Sequence, residues 1–79
     1  MGRPPEHSDK EILQLFIEAG EPVLFTVEVA ESLDKTQQSA YSRLEKLEGM
    51  GYVGSKATSK HSSRVWWITH AGRMFATED

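Results

Sequence analysis

Residues 26–49 read TVEVAESLDKTQQSAYSRLEKLEG, and their pattern decides the fold. Apolar residues recur three and four positions apart on both sides of Asp34 and Lys35, which is the spacing of a buried helix face. Thr36 can cap the second segment by accepting a hydrogen bond from an amide of its first turn. Since aspartate tolerates a left-handed backbone, the stretch predicts two helices joined by a tight turn, with Thr26 as the candidate cap of the first. The apolar positions are Val27, Val29, Ala30 and Leu33, then Ala40, Leu44 and Leu47, and the second helix is expected to end near Glu48.

A further helix is predicted upstream of this stretch. Ser8 or Asp9 can cap its start, and Gly20 can end it in a left-handed conformation. A short strand is expected at residues 23–25, because three apolar residues follow Pro22. The inward stripe of the helix is expected at Ile12, Leu15, Phe16 and Ala19, with Leu13 and Ile17 lying beyond it.

A β-hairpin and a last short helix are predicted downstream. Residues 49–51, Gly-Met-Gly, stop the preceding helix, and strands follow at residues 52–58 and 64–69 around a polar loop. Thr69 can cap a helix over residues 70–76. Because neighbouring side chains on a strand point to opposite faces, only one tryptophan of the Trp66-Trp67 pair can join the core, and alternation with Ile68 favours Trp66.

Residues 49–54 also spell Gly-x-Gly-x-x-Gly, a pattern found in dinucleotide-binding loops. In those loops the glycines follow a strand and open a helix, whereas here they follow a helix and open a strand. We therefore interpret them as a helix stop. Cysteine is absent, which excludes disulfides, and the spacing of His7, His61 and His70 does not suit a metal. No catalytic constellation is recognised, so neither an enzyme nor a cofactor is expected.

The order of these elements resembles that of the winged helix-turn-helix regulators. The residues that carry the resemblance are Val29, Ala30 and Leu33, then Thr36 with Ala40, Leu44 and Leu47, then Gly51-Tyr52-Val53, and last Trp66-Trp67-Ile68-Thr69-His70-Ala71-Gly72-Arg73, which is similar to the "LTxxGR" exit from the wing. The resemblance implies an α+β fold with a three-helix core, a two-stranded β-hairpin wing and a short C-terminal helix. Residues 8–79 would form this domain, after a flexible lead-in at residues 1–7.

Two details refine the resemblance. The Trp-Trp-Ile-Thr sequence and the acidic composition resemble the small haloarchaeal phage-repressor-like proteins. The turn departs from the usual pattern, because Asp34 and Lys35 stand where the family has a glycine followed by an apolar residue. The missing apolar contact leaves the angle between the two helices less determined.

The charges are distributed unevenly, although the net charge is only −3. Residues 1–34 hold two basic and eight acidic residues, whereas residues 35–64 hold six basic and two acidic ones. Such asymmetry predicts a directed electrostatic face. No apolar run approaches the roughly 20 residues of a membrane span, and the N-terminal residues have no apolar segment typical of a signal peptide. We therefore expect a cytoplasmic protein.

The basic segment coincides with the predicted recognition helix at about residues 36–48 and the wing at about residues 56–64. Glutamine can pair with adenine in the major groove, serine accepts either kind of base, and basic side chains bind phosphates. The helix N-terminus also favours a phosphate. The candidate DNA-binding residues are Thr36, Gln37, Gln38, Ser39, Tyr41, Ser42, Arg43 and Lys46 on the helix, and Lys56, Lys60, His61 and Arg64 on the wing.

Double-stranded DNA is therefore the expected partner, and a sequence-specific regulator, most simply a repressor, is the expected function. The first alternative is a winged-helix protein-interaction module, since a fold does not fix a function. The second is an architectural or antirepressor protein that binds DNA weakly. The basic helix and wing favour the specific regulator, because an adaptor more often carries an apolar outward face.

A homodimer is also expected, because one winged-helix unit covers only half of a symmetric operator. The interface is predicted on the first helix and the C-terminal segment, where apolar residues exceed what a minimal core needs. These residues are Leu13, Ile17, Met74 and Phe75, with Trp67 as a further contributor. The alternative is that the same residues fold back and complete the core of a monomer.

Overall fold

The computed structural model describes residues 8–58 and 64–78, and within them the chain forms an α+β domain. The predicted order of elements is confirmed. The elements are α1 (Asp9–Ala19), β1 (Leu24–Phe25), α2 (Thr26–Leu33), α3 (Gln37–Gly49), β2 (Val53–Ala57), β3 (Arg64–Ile68) and α4 (His70–Ala76). None of the described helices is both long and apolar enough to cross a membrane.

Side-chain caps set the starts of three helices where the sequence predicted them. Ser8 accepts a hydrogen bond from the Glu11 amide at 3.1 Å, and the Glu11 carboxylate accepts one from the Ser8 amide at 2.8 Å. Thr36 accepts from the Ser39 amide at 3.1 Å, and Thr69 accepts from the Gly72 amide at 3.1 Å. These bonds satisfy amides that have no partner within their own helix.

The start of α2 differs from the prediction by one residue. Thr26 is the first residue of the helix and does not cap it; the cap position is Phe25, whose amide donates to the Glu28 carboxylate at 2.8 Å. The Thr26 hydroxyl instead accepts a hydrogen bond from the Trp66 indole at 2.8 Å and donates to the Arg64 carbonyl at 3.4 Å. A tertiary contact thus takes the oxygen that was expected to serve as the cap.

The turn between α2 and α3 forms at Asp34, which adopts the predicted left-handed conformation with φ 58°. The Asp34 amide donates to the Glu31 carbonyl at 3.2 Å, and the Lys35 amide donates to the Ala30 carbonyl at 2.9 Å. These bonds end α2 without a glycine. The two helices therefore follow one another as closely as the sequence pattern required.

The three strands form one antiparallel sheet in the order β1-β3-β2. The expected wing had two strands, and the short strand β1 adds a third along the outer edge of β3, pairing Leu24 with Trp66. On the other side β3 pairs with β2, so that Ser55 lies opposite Trp66 and Gly54 lies opposite Trp67. The inner face of this sheet covers the helices.

The core confirms the inward face of α3 and corrects that of α1. On α2 it confirms Val29, Ala30 and Leu33, whereas the predicted Val27 is 40% exposed. Leu13 is completely buried, whereas Ala19 is exposed and Leu15 is only half-buried. The reason is that α1 packs against α2, β3 and α4. These contacts bury Ile12, Leu13 and Phe16, which is a different face from the one predicted by helical spacing. The buried apolar residues are Ile12, Leu13, Phe16, Leu24, Val29, Ala30, Leu33, Ala40, Leu44, Leu47, Val53, Trp66 and Ala76.

Two glycines allow close approaches that fix the positions of neighbouring elements. A side chain at Gly54 would come within 2.6 Å of the Trp67 indole, which therefore packs directly against the backbone of β2. A side chain at Gly72 would overlap the Tyr52 carbonyl, so α4 can pack directly on the chain that leaves α3. Trp66 is buried as predicted, and Trp67 is half-covered on the opposite face of the sheet.

The residues assigned to a dimer interface are mostly used within the monomer. Leu13 lies in the core, Ile17 and Phe75 are half-buried against it, and Phe75 stacks on Tyr52 with ring centroids 4.6 Å apart. Only Met74 of the four is freely accessible, with 60% of its surface exposed. The expectation that Leu13 is surplus to the core was wrong, because α4 folds against α1 and closes the core at that end.

Candidate nucleic-acid interface

The outward face of α3 is polar and accessible. Burial of Ala40, Leu44 and Leu47 turns most of the other positions of this helix towards solvent. The exposed predicted contacts are Thr36, Gln37, Gln38, Ser39, Ser42 and Lys46. They supply amides, hydroxyls and one ammonium group from the N-terminus to the third turn, which is the chemistry that reads base edges and binds phosphates.

Tyr41 is less accessible than its place on the helix suggested. It is half-buried, and its ring meets Trp66 edge-on at a centroid distance of 5.6 Å and an interplanar angle of 80°. Tyr41 thus joins α3 to the inner face of the sheet. Its predicted role in DNA binding stays a prediction, and its packing role is visible in the structure.

Arg43 reaches towards α1. Its guanidinium donates to the Asp9 carboxylate at 3.0 Å, with side-chain exposures of 27% for Arg43 and 39% for Asp9. This ion pair links the start of α1 to the middle of α3. A phosphate contact by Arg43, which stays a prediction, would have to share or replace the bond to Asp9.

The predicted wing residues divide into three groups. Lys56 is exposed on β2, and its pairing with Val65 places it on the outer face of the sheet. Lys60 and His61 lie outside the described residues. Arg64 begins β3 on the inner face, in register with Ala57.

Arg64 takes part in a chain of polar contacts within the protein. Its guanidinium donates to the Ser55 hydroxyl at 2.8 Å, and that hydroxyl donates to the Glu48 carboxylate at 2.8 Å. The guanidinium also lies over the Trp66 ring, 6.0 Å from its centroid. Neither Ser55 nor Glu48 was singled out from the sequence. Strand alternation alone could not pair them with Arg64, because that pairing depends on the register between the two strands of the hairpin.

The electrostatics of the described surface follow the asymmetry of the sequence. The exposed carboxylates of the first two helices are Glu11, Glu18, Glu28 and Glu31. The basic groups of α3 and the hairpin are Arg43, Lys46, Lys56 and Arg64. The exposed carboxylates Glu45 and Glu48 of α3 lie among them, so these elements keep a smaller positive balance. A polyanion would therefore approach the face formed by α3 and the hairpin with the least repulsion.

The described residues hold neither a cluster of metal-ligating side chains nor a buried polar side-chain atom without a partner. Within residues 8–58 and 64–78, no group of three or more histidine, aspartate or glutamate side chains could hold a metal ion. In the same ranges, every buried side-chain nitrogen or oxygen atom has a hydrogen-bond partner. An open groove of about 450 Å³ runs between α4 and the start of the hairpin, where Tyr52, Met74 and Phe75 are among its lining residues.

Comparisons with known proteins find similarity in structure and none in sequence families. No family model matches the chain, and no curated protein matches it. Among solved structures, the zinc-responsive MarR family member ZitR of Lactococcus lactis superposes with a TM-score of 0.73 and 21% identity, over 89% of this chain and 47% of ZitR. A single-residue mutant of ZitR in complex with DNA gives a TM-score of 0.71 and 24% identity, over 89% of this chain and 47% of the mutant.

The transcriptional regulator BldR from Sulfolobus solfataricus is also similar, with a TM-score of 0.71 and 28% identity over 86% of this chain and 48% of BldR. The chain thus spans about half the length of each of these structures. The narrower resemblance to haloarchaeal phage-repressor-like proteins stays a prediction. What the geometry and these superpositions establish together is the fold: the chain is a winged helix-turn-helix domain.

Proposed function

We propose that this chain is a sequence-specific, double-stranded DNA-binding domain of a cytoplasmic transcription regulator, with α3 in the major groove and the hairpin on the backbone or in the minor groove. The observation that carries the proposal is the exposed face of α3, which is polar and rich in amides and hydroxyls. The superposition on the ZitR mutant in complex with DNA supports it.

The residues of α3 divide the work by their chemistry. Gln37 and Gln38 lie in the first turn, where side chains of a recognition helix meet base edges. Ser39 and Ser42 offer hydroxyls to either kind of base. Lys46, two turns further along, contributes a phosphate contact that positions the helix without reading sequence.

The start of α3 and the wing add contacts to the backbone. The amides that follow Thr36 point along the helix axis, and with the helix dipole they favour a phosphate at this end. Lys56 and the predicted wing contact Lys60 bring positive charge, and the predicted contact His61 brings an imidazole N–H donor. Arg64 was also predicted as a contact, but its guanidinium is bonded within the protein to Ser55, so we assign it no phosphate.

The second candidate function is a protein-interaction module. The exposed apolar residues Val23, Phe25 and Val27 favour it, because they stand at alternate positions on and beside β1; we call them the apolar strip. The polar face of α3 is not explained by this alternative. In a module that bound its partner only through the apolar strip, the exposed polar face of α3 would have no role.

Selection from a library of random DNA duplexes separates the candidate functions. A specific regulator enriches one motif over successive rounds of selection. An architectural protein retains duplex without enriching any motif. A protein-interaction module retains no duplex at low salt, and that result would contradict the proposed function.

A further inference from the structure

A chain of three polar side chains bridges the turn between α3 and the hairpin. Glu48 stands in the last turn of α3, and Ser55 stands in the middle of β2. Between them the polypeptide backbone reverses direction through Met50, Gly51 and Tyr52, with Gly51 at φ 86°. The bond from the Ser55 hydroxyl to the Glu48 carboxylate, 2.8 Å long, joins the two sides of this turn directly.

The polarity of the chain is fixed by its ends. A guanidinium can only donate hydrogen bonds, and an ionised carboxylate can only accept them. Ser55 therefore receives a hydrogen bond from Arg64 and must direct its single proton to Glu48. Both bonds involve a charged partner, which makes them stronger than bonds between neutral groups. The hydroxyl has one favourable orientation, and that orientation holds three elements together.

Arg64 is held at a second point as well. Its guanidinium lies over the Trp66 ring, whose indole nitrogen donates to Thr26 at the start of α2, and Tyr41 of α3 meets the same ring edge-on. The middle and the loop end of the hairpin are thereby connected to both helices of the helix-turn-helix unit. These contacts direct the Arg64 guanidinium into the domain.

We propose that Glu48, Ser55 and Arg64 are positioning residues that fix the angle between the recognition helix α3 and the wing. Arg64 thus supports DNA binding through the wing and does not contact a phosphate itself. The inference rests on the proposed function for its effect on DNA, whereas the angle is a property of the free protein. A wing at a fixed angle lets α3 and the hairpin engage two grooves without a cost for ordering them on binding.

The matched pair Ser55→Thr and Ser55→Val tests the proposal, because the two side chains have the same shape and only threonine keeps the hydroxyl. Residual dipolar couplings of the free protein measure the orientation of the β2–β3 hairpin relative to α3. We expect Ser55→Thr to keep the parent's couplings and Ser55→Val to reduce them in the hairpin alone. Equal hairpin couplings in the two variants would overturn the proposal.

Glu48→Ala removes the carboxylate that accepts the hydrogen bond from Ser55. We expect the variant to fold, since alanine is the best helix former and Glu48 is exposed. Glu45→Ala is its control, because it removes the same charge from the same helix. We expect reduced hairpin couplings for Glu48→Ala only. Reduced couplings in both variants, or in neither, would contradict the role of Glu48.

DNA binding supplies an independent test. Ser55→Val should bind duplex about threefold to tenfold more weakly than Ser55→Thr, the range of one hydrogen bond's net contribution. The salt slope is the dependence of the logarithm of affinity on the logarithm of salt concentration. It should stay unchanged, because no phosphate contact is lost. Arg64→Ala should also keep the slope, and a slope smaller by about 0.9 would instead show a direct phosphate contact. If the parent binds no duplex, the proposed function fails while the couplings still decide the inference.

Discussion

The Thr26 hydroxyl connects α2 to strand β3, through two partners that lie 38 and 40 positions along the chain. Thr26 begins α2, accepts from the buried Trp66 indole at 2.8 Å and donates to the Arg64 carbonyl at 3.4 Å. A helix cap would have used the same oxygen only locally. The largest buried side chain of the core therefore has its one polar atom satisfied by the first residue of a helix.

Removing that hydroxyl should destabilise the fold. In Thr26→Val the shape is kept and the Trp66 indole N–H loses its acceptor, so we expect the free energy of unfolding to fall by about 1–3 kcal/mol. Urea denaturation followed by tryptophan fluorescence measures it. Ser32→Ala, at an exposed position of the same helix, is the control and should change stability little. A Thr26→Val variant as stable as the control would show that the indole bond contributes nothing.

The exposed glutamines are where base specificity is expected. Gln37→Ala or Gln38→Ala should weaken binding to a selected site by about 1–3 kcal/mol and relax the base preference at one position. Gln14→Ala, on the exposed face of α1, is the control and should leave the preference unchanged. Selection of binding sites for each variant measures the effect. The same motif from all three variants would exclude the first turn of α3 as the reader.

At the scale of elements, the hairpin depends on the contact between Trp67 and Gly54. Gly54→Ala should force the indole away from β2, since the added carbon would lie 2.6 Å from ring atoms. Overpacking of this kind typically costs about 1–3 kcal/mol. The shift of the tryptophan emission and the urea midpoint would both report it. Gly49→Ala is the control, because no atom lies within 4 Å of the added carbon there, and it should be neutral or slightly stabilising.

The sequence predicted the elements well because local chemistry sets their boundaries. Ser8, Thr36 and Thr69 each cap a helix, and Asp34 makes the predicted turn. These signals act over three or four residues, so they can be recognised without the tertiary structure. The same locality explains the error at Thr26, whose hydroxyl is claimed by a tryptophan 40 residues away.

Such local signals could not predict the inward face of α1 or the hydrogen bonds that link Glu48, Ser55 and Arg64. The position of Leu13 depends on α4 closing against α1, which is a contact between the two ends of the chain. The pairing of Ser55 with Arg64 depends on the register of two strands. For the candidate site, the exposed residues of α3 were predictable from helical spacing, whereas the internal bonds of Arg43 and Arg64 were not.

The homodimer stays a proposal, and the apolar surface available for its interface is smaller than the sequence suggested. Leu13 has been lost to the core, and Met74 is the predicted interface residue that remains most exposed, at 60%. We expect Met74→Glu to raise the dimer dissociation constant measured by analytical ultracentrifugation. Val27→Glu, which alters the separate apolar strip near β1, is the comparison variant. Dimerisation lost only in Val27→Glu would place the interface at that strip, and a parent that stays monomeric at high micromolar concentration would contradict the proposal.

The separation of charge between the first two helices and the α3–hairpin face is the property on which DNA binding depends as a whole. A negatively charged domain can bind a polyanion only if its basic groups share one face. Each phosphate that such a face neutralises steepens the dependence of the logarithm of affinity on the logarithm of salt concentration by about 0.9. The slope therefore counts contacts in solution.

The most direct test is the salt slope for duplex binding by the parent, by Lys46→Ala and by Arg73→Ala. Both variants lose one exposed positive charge, but Lys46 lies on α3 and Arg73 on α4. We expect a steep parent slope, a slope smaller in magnitude by about 0.9 for Lys46→Ala, and a parental slope for Arg73→Ala. Equal slopes for the two variants, or no salt-dependent binding by the parent, would contradict the claim that α3 is the DNA-binding face.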